Sequence, residues 1–196
     1  MKKYLDAINI MLQTIGERPL ETIEQVSDSY EATIADSVLE EVKLEVLAQG
    51  WRFNTDYNWK MSPDTSGYIA VASNNILVID PTDRRQDYIL KDSKLYDRGN
   101  QTYKFTSPVA CDITWNVEFD DIPYPVQYYI TIRAARKYQA RFIGDPTQHN
   151  YTLQDEMDAK RTLMMYESDT GDYSIFDSYS SFKVIDRRFN PLSIGG

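Results

Sequence analysis

Apolar residues recur every three or four positions through residues 4–15, YLDAINIMLQTI, where Leu5, Ile8, Leu12 and Ile15 share one line, so the chain opens with an amphipathic helix. Gly16 and Pro19 end it. Ser27 or Asp28 is placed to cap a second helix. That helix runs to Gln49 with Ile34, Val38, Val42 and Val46 at i+4 intervals, and with Leu39 and Leu47 beside them. Gly50 supplies its stop. Away from the apolar line, Asp36, Glu40, Glu41 and Glu45 read as an acidic stripe, for which a solvated face is the plainer reading and a contact surface the other.

Between Trp51 and Phe119 the period changes. YIAVAS, ILVID, DYILK, KLYDR, TYKF and DITWNVEF are short β-rich runs separated by Asn, Asp, Pro, Gly and Ser, which predicts a compact antiparallel sheet or small sandwich. DYILKDSKLYD reads as a hairpin turning at Asp92-Ser93. The change falls inside LAQGWRFNTDYNW, residues 47–59, which concentrates Trp51, Phe53, Tyr57 and Trp59. Such a cluster either lines a binding pocket or joins two layers. A joint needs large rigid apolar side chains that cover both layers, and Trp51 and Phe53 are assigned to it.

At Pro123 the helical period returns. Pro125 sits in the first turn, and Val126, Ile130, Ala134, Tyr138 and Phe142 follow at i+4 spacing. Arg133, Arg136, Lys137 and Arg141 form a basic stripe, and Gly144 and Pro146 close the helix. A fourth helix is expected over about residues 152–168, burying Leu153, Met157, Leu163 or Met164, and Tyr166. The remaining stretch has no clean period yet holds Tyr173, Phe176, Tyr179, Phe182 and Phe189, so it is expected to dock on a partner subunit or neighbouring protein. The fold class is therefore α+β: a helical bundle from residues 1–50 and 123–170, an inserted antiparallel β domain over 51–122, and an extended tail over 171–196.

Composition sharpens this picture in two places. Fifteen tyrosines, each with an apolar body and a polar tip, suit surfaces wet in one state and buried in another, or else the edge of a core. A net charge of −9 argues against a sequence-reading nucleic-acid binder, which needs a basic footprint. It is compatible with a channel through which DNA slides. Cys111, the single cysteine, has no disulfide partner, no secretory leader is evident in MKKYLDAINIM, and no run reaches the roughly 18 apolar residues of a membrane span. Synthesis in a reducing cytoplasm is expected.

Catalytic chemistry is sparse. The one histidine, His149, sits among turn-like residues in DPTQHNYT, expected as a loop between the last two helices. A nucleophile–base arrangement would have to pass through it. There is no zinc set and no Gly-rich phosphate loop, and no cofactor is expected. Glu118, Asp120 and Asp121, expected at a strand end, are the carboxylates from which a polysaccharide hydrolase could draw its acid and base. Asp64, Asp80, Asp83 and Asp87 could attract a hard cation, without EF-hand spacing. The acidic and basic helical stripes are complementary, and are expected to face each other within the bundle or across neighbouring copies.

Several motifs together resemble the tail tubular protein A family, the head-to-tail adaptors of short-tailed bacteriophages. They are DAINIMLQTIGERPL at 6–20, EVLAQGWRFNTD at 45–56, LYDRGNQTYKF at 95–105, and the stretch from DDIPYPVQYYITIRAARKYQARFIGDP to EMDAKRTLMMYESDTGDYSIFD. The tail, rich in Phe and ending NPLSIGG, departs most from the family pattern. The resemblance implies a structural protein with no turnover, acting as a dodecameric ring in the virion. Its partners would be the portal protein, the nozzle (tail tubular protein B) and tail fibres, with genomic DNA passing through unread and no membrane involved. The competing class is a tail-associated hydrolase acting on cell-wall or capsular polysaccharide.

Overall fold

The computed structural model describes residues 3–71, 75–142 and 146–171. Four α-helices enclose a β insertion in chain order: α1 (Lys3–Thr14), α2 (Tyr30–Leu47), β1 (Thr55–Met61), β2 (Ile76–Pro81), β3 (Tyr88–Lys91), β4 (Lys94–Asp97), β5 (Val109–Trp115), α3 (Tyr124–Phe142) and α4 (Pro146–Gly171). Short 3₁₀ turns occupy Ile23–Asp28, Arg52–Asn54 and Phe119–Asp121.

The helical period places the core. Ile8, Met11 and Leu12 of α1, Val38, Leu39, Val42, Val46 and Leu47 of α2, and Val126, Ile130, Ala134 and Tyr138 of α3 are essentially inaccessible to solvent. The i+4 lines read from the sequence therefore turn inward, with Ile34 partly buried and Phe142 exposed at their ends. Ser29, rather than Ser27 or Asp28, caps α2, its Oγ accepting the Ala32 N–H at 3.3 Å. Ser27 and Asp28 are taken up in the preceding 3₁₀ turn. At the other end Gly50 adopts φ +75°, and an added Cβ would lie 3.3 Å from Thr114 Oγ1. Both the left-handed backbone and the close approach select glycine there.

The insertion forms a three-stranded antiparallel sheet of order β1-β5-β2 and a separate β3-β4 hairpin. Asp92 and Ser93 make the hairpin turn with φ of 52° and 56°, the left-handed pair that matches strand twist. The sheet departs from expectation at several strands. β1 falls in the aromatic stretch itself, paired with β5 and interrupted by a bulge between Asp56 and Trp59. Among the described residues, 68–71 and 102–105 make isolated bridges, Tyr68 to Lys104, Ala70 to Lys94 and Thr102 to Asp97. DITWNVEF leaves the sheet after Trp115, and its Phe119 joins the helical core. Ile69, Val71, Tyr88, Leu95, Phe105, Cys111 and Ile113 fill a second, smaller core.

α4 also differs from expectation. It starts at Pro146, whose missing N–H suits a first helical position, so the backbone of His149 is helical and not in a loop. Among the residues of α4 whose burial is described, Ala159 and Leu163 are the buried apolar ones, whereas Leu153, Met157 and Met164 are exposed and Tyr166 is half-buried. Gly144 and the C-terminal Tyr173, Phe176, Tyr179, Phe182 and Phe189 lie outside the described residues.

Candidate functional site

Charged side chains meet along the seam of α2, α3 and α4. Arg133 reaches Glu45 at 2.9 Å, Lys137 reaches Glu45 at 2.6 Å and Glu41 at 3.3 Å, and Arg141 reaches Glu41 at 2.8 Å. The antiparallel run of α2 and α3 brings residues 41 and 45 opposite 141, 137 and 133, so the basic line finds its acids within one chain. Arg136 points the other way, onto Glu156 of α4, which Arg133 also approaches at 3.7 Å. Glu156 is buried, so its charge is held by those two guanidinium groups.

The four acids of α2 do not form one stripe. At about 100° per residue, positions 36 and 40 share one side and 41 and 45 another. Asp36 and Glu40 turn to α1, accepting the Tyr4 hydroxyl at 2.8 and 3.2 Å, and buried Lys43 pairs with Glu40 at 2.8 Å. Burial, reinforced by the Asp36 hydrogen bond, raises the Tyr4 hydroxyl far above its ordinary pKa and keeps it a donor.

Hydrogen bonds, led by that from Arg141 to Glu41 and that from Lys137 to Glu45, hold both carboxyls below the ordinary value of 4.5. A lowered folded pKa contributes stability that is complete above the unfolded value and lost as pH falls through the folded one. The double variant Glu41→Gln, Glu45→Gln is therefore expected to be less stable at pH 7 and to lose stability less steeply below about pH 4.5. Urea midpoints across that range measure the slope. A slope equal to that of the native chain would show that these pairs contribute nothing in solution.

The aromatic stretch divides between two duties. Trp51 is 6% exposed and lies in the helical core, with Phe53 packed against it, while Tyr57 and Trp59 are about half exposed on edge strand β1. The residue that ties the layers together is Asn54, which sequence reasoning passed over. Fully buried, it accepts the Trp51 N–H at 2.8 Å and donates to Leu47 O at 3.0 Å and Trp115 O at 2.9 Å. Its side chain thus links the end of α2, the turn and the end of β5. The available signal was an amide inside an aromatic cluster, four residues past the helix stop at Gly50.

The other candidate groups are engaged locally. Asp120 accepts the Tyr4 N–H at 3.0 Å and its carbonyl takes Lys3 Nζ, so it satisfies the start of α1. Glu118, Asp120 and Asp121 lie beyond the strand end, in and beside a 3₁₀ turn. Asp64 accepts the N–H groups of Ser66 and Tyr68, Asp83 pairs with Arg85, and Asp87 pairs with Arg98. Among the described residues no group of three or more His, Cys, Asp or Glu is disposed to hold a metal, and no helix is long and apolar enough to cross a membrane. Burial in the β core pushes the Cys111 thiol up to about 12.

A family model described as tail tubular protein matches residues 5–173. Tail tubular protein A of Klebsiella phage KP34 is 30% identical over 155 residues, covering 79% of this chain and 81% of the relative. The match runs from the first turn of α1, through the β insertion, to just past the end of α4. The chain belongs to the tail tubular protein family, and is a structural component of a bacteriophage tail.

Proposed function

We propose that the chain is a head-to-tail adaptor. Copies close into a ring, a dodecamer in the virion, between the portal and the nozzle formed by tail tubular protein B. The genome passes through the opening, and the subunit acts by contact without turnover. The observation that carries this reading is the division of labour between charge and apolar surface. Glu41, Glu45, Arg133, Lys137, Arg141 and Glu156 fasten the helices of one chain to each other, while Tyr57, Trp59, Tyr124, Tyr128 and Met165 stand exposed. Of these, Tyr124 stacks on Tyr128 at 6.3 Å, and such paired rings with polar tips suit contact with another protein.

In this reading the ladder fixes the bundle on which the ring faces are built. Glu41 and Arg141, each with more than two-fifths of its side chain exposed, also meet the neighbouring copy. Asp36, Glu40 and Arg136 act from behind, by seating α1 and α4. The C-terminal aromatics dock on a neighbouring subunit or tail protein, tail fibres among them, once the ring closes. The net charge of −9 suits a conduit, since walls that neutralise no phosphate release no counterions and do not retain DNA. Subunits are made in the host cytoplasm and end in the virion tail.

Native mass measurement of the chain, alone and mixed with portal, tests this. The expected result is one ring-sized species in complex with portal. A chain that leaves portal unbound at every ratio would remove the proposal.

A further inference from the structure

Two exposed apolar patches on the α3–α4 layer face opposite ways. On α4, Ala159 and Leu163 are buried, and Glu156 beside them reaches Arg133 and Arg136. Turning onward from Glu156 at about 100° per residue, the surface passes Glu167 and then Lys160, Leu153, Met164 and Met157. Glu167 accepts the Arg52 N–H at 3.0 Å, just past the end of α2. The four residues beyond it are exposed. The methionine line therefore lies along the α2 side of α4, the side on which Arg133 and Lys137 meet Glu45. On α3, Tyr124 precedes Arg133 and Tyr128 precedes Lys137 by nine positions, about two and a half turns. The two tyrosines thus emerge on the reverse side of the layer, where Tyr124 is 73% exposed.

The patches differ in chemistry and complement each other. Met157 and Met164 are flexible and polarisable, and thioether sulfur rests favourably against aromatic rings. The stacked Tyr124–Tyr128 pair offers such rings. Each patch also carries one charge without an ion pair among the described residues. On one side it is Lys160, between the two methionines, and on the other Asp121, three residues ahead of Tyr124.

We propose that the Leu153–Met157–Met164 line of one copy seats on the Tyr124–Tyr128 face of the next, with Lys160 paired to Asp121. A second copy is the occupant because the surface that complements each patch, in charge and in side-chain type, is the other patch. Two different faces on opposite sides of one chain make a head-to-tail contact, which repeats from copy to copy until it closes. The inference rests on the ring reading above and adds to it which helices touch.

Two full-length variants test it. Met157→Glu with Met164→Glu spoils one face, and Tyr124→Glu with Tyr128→Glu spoils the other. All four positions are exposed, so thermal midpoints should stay near native. In sedimentation at raised concentration the native chain is expected to associate beyond a dimer, and each variant alone to stay single. An equal mixture is expected to stop at a dimer of one chain of each kind, because a single intact pair of faces remains. A native chain that stays single, a variant that associates as the native chain does, or a mixture without the dimer would overturn the proposal. If the two variants still build ring-sized complexes with portal, the adaptor reading stands without these faces, whereas a native chain that leaves portal unbound removes both. Lys160→Glu is expected to weaken association several-fold, and Asp121→Lys in the same chain to restore it. Absence of that rescue would also count against the pairing.

Discussion

Trp51→Ala is expected to lower the stability of the folded chain by about 3–5 kcal/mol, read from urea or thermal midpoints. The indole is almost fully buried among core residues of the bundle, and its Nε1–H donates to Val46 O at 2.7 Å. Truncation would leave a cavity where α2 hands over to the sheet, and neighbouring backbone cannot collapse into it without breaking the three hydrogen bonds of Asn54. Trp59→Ala is the matched control. Trp59 is 48% exposed and rests edge-on against Trp115 at 6.1 Å, so its loss should cost about 1 kcal/mol or less. Equal effects of the two substitutions, or a Trp51→Ala chain of native stability, would refute the assignment of Trp51 to the joint.

Replacing Arg133, Lys137 and Arg141 together by Glu is expected to be the most damaging surface-adjacent change, lowering stability by about 3 kcal/mol or more at low salt. Exposed pairs alone would not justify that figure. Arg133 and Lys137 are about three-quarters covered, however, and Glu156, which Arg133 helps to neutralise, is nearly buried. Reversal would set three new carboxylates against Glu41, Glu45 and Glu156. Two further measurements separate charge from packing. Added salt should restore part of the loss by screening, and Glu41→Lys with Glu45→Lys on the same background should restore more. A triple variant as stable as the native chain, with thermal midpoint unchanged, would show that the ladder contributes nothing to folding.

The helices were legible because burial follows a period of 3.6, and the lines through Val38 and Val126 obey it. β1 was not legible, because TDYNWKM is exposed along most of its length and is held by backbone pairing with β5 rather than by an alternating buried face. The converse holds for YIAVAS. Ile69 and Val71 are buried, as its hydrophobicity suggests, yet its described residues, 68–71, make isolated bridges and not a continuous ladder. α4 misled for a third reason. Its sequence carries two apolar lines, and periodicity alone cannot say that α3 covers the Ala159–Leu163 line and leaves the methionines outside.

The complementary charges were legible as residue types, and their geometry was not. Counting acids along α2 merges two faces that helical rotation separates, one serving Tyr4 and the other the arginines of α3. Asn54 escaped notice because its importance comes from three partners distant in sequence or hidden in backbone, which no local pattern displays.

The insertion enters and leaves the bundle side by side, at Thr55 opposite Thr114. β2 joins that base, with Val78 also opposite Thr114 and Leu77 resting on the helical core, so the sheet is seated on the helices by three strands and its far end projects. The β3-β4 hairpin and the far ends of the strands therefore tolerate changes of length that Thr55, Leu77, Val78 and Thr114 do not, because only the latter sit where sheet and bundle meet.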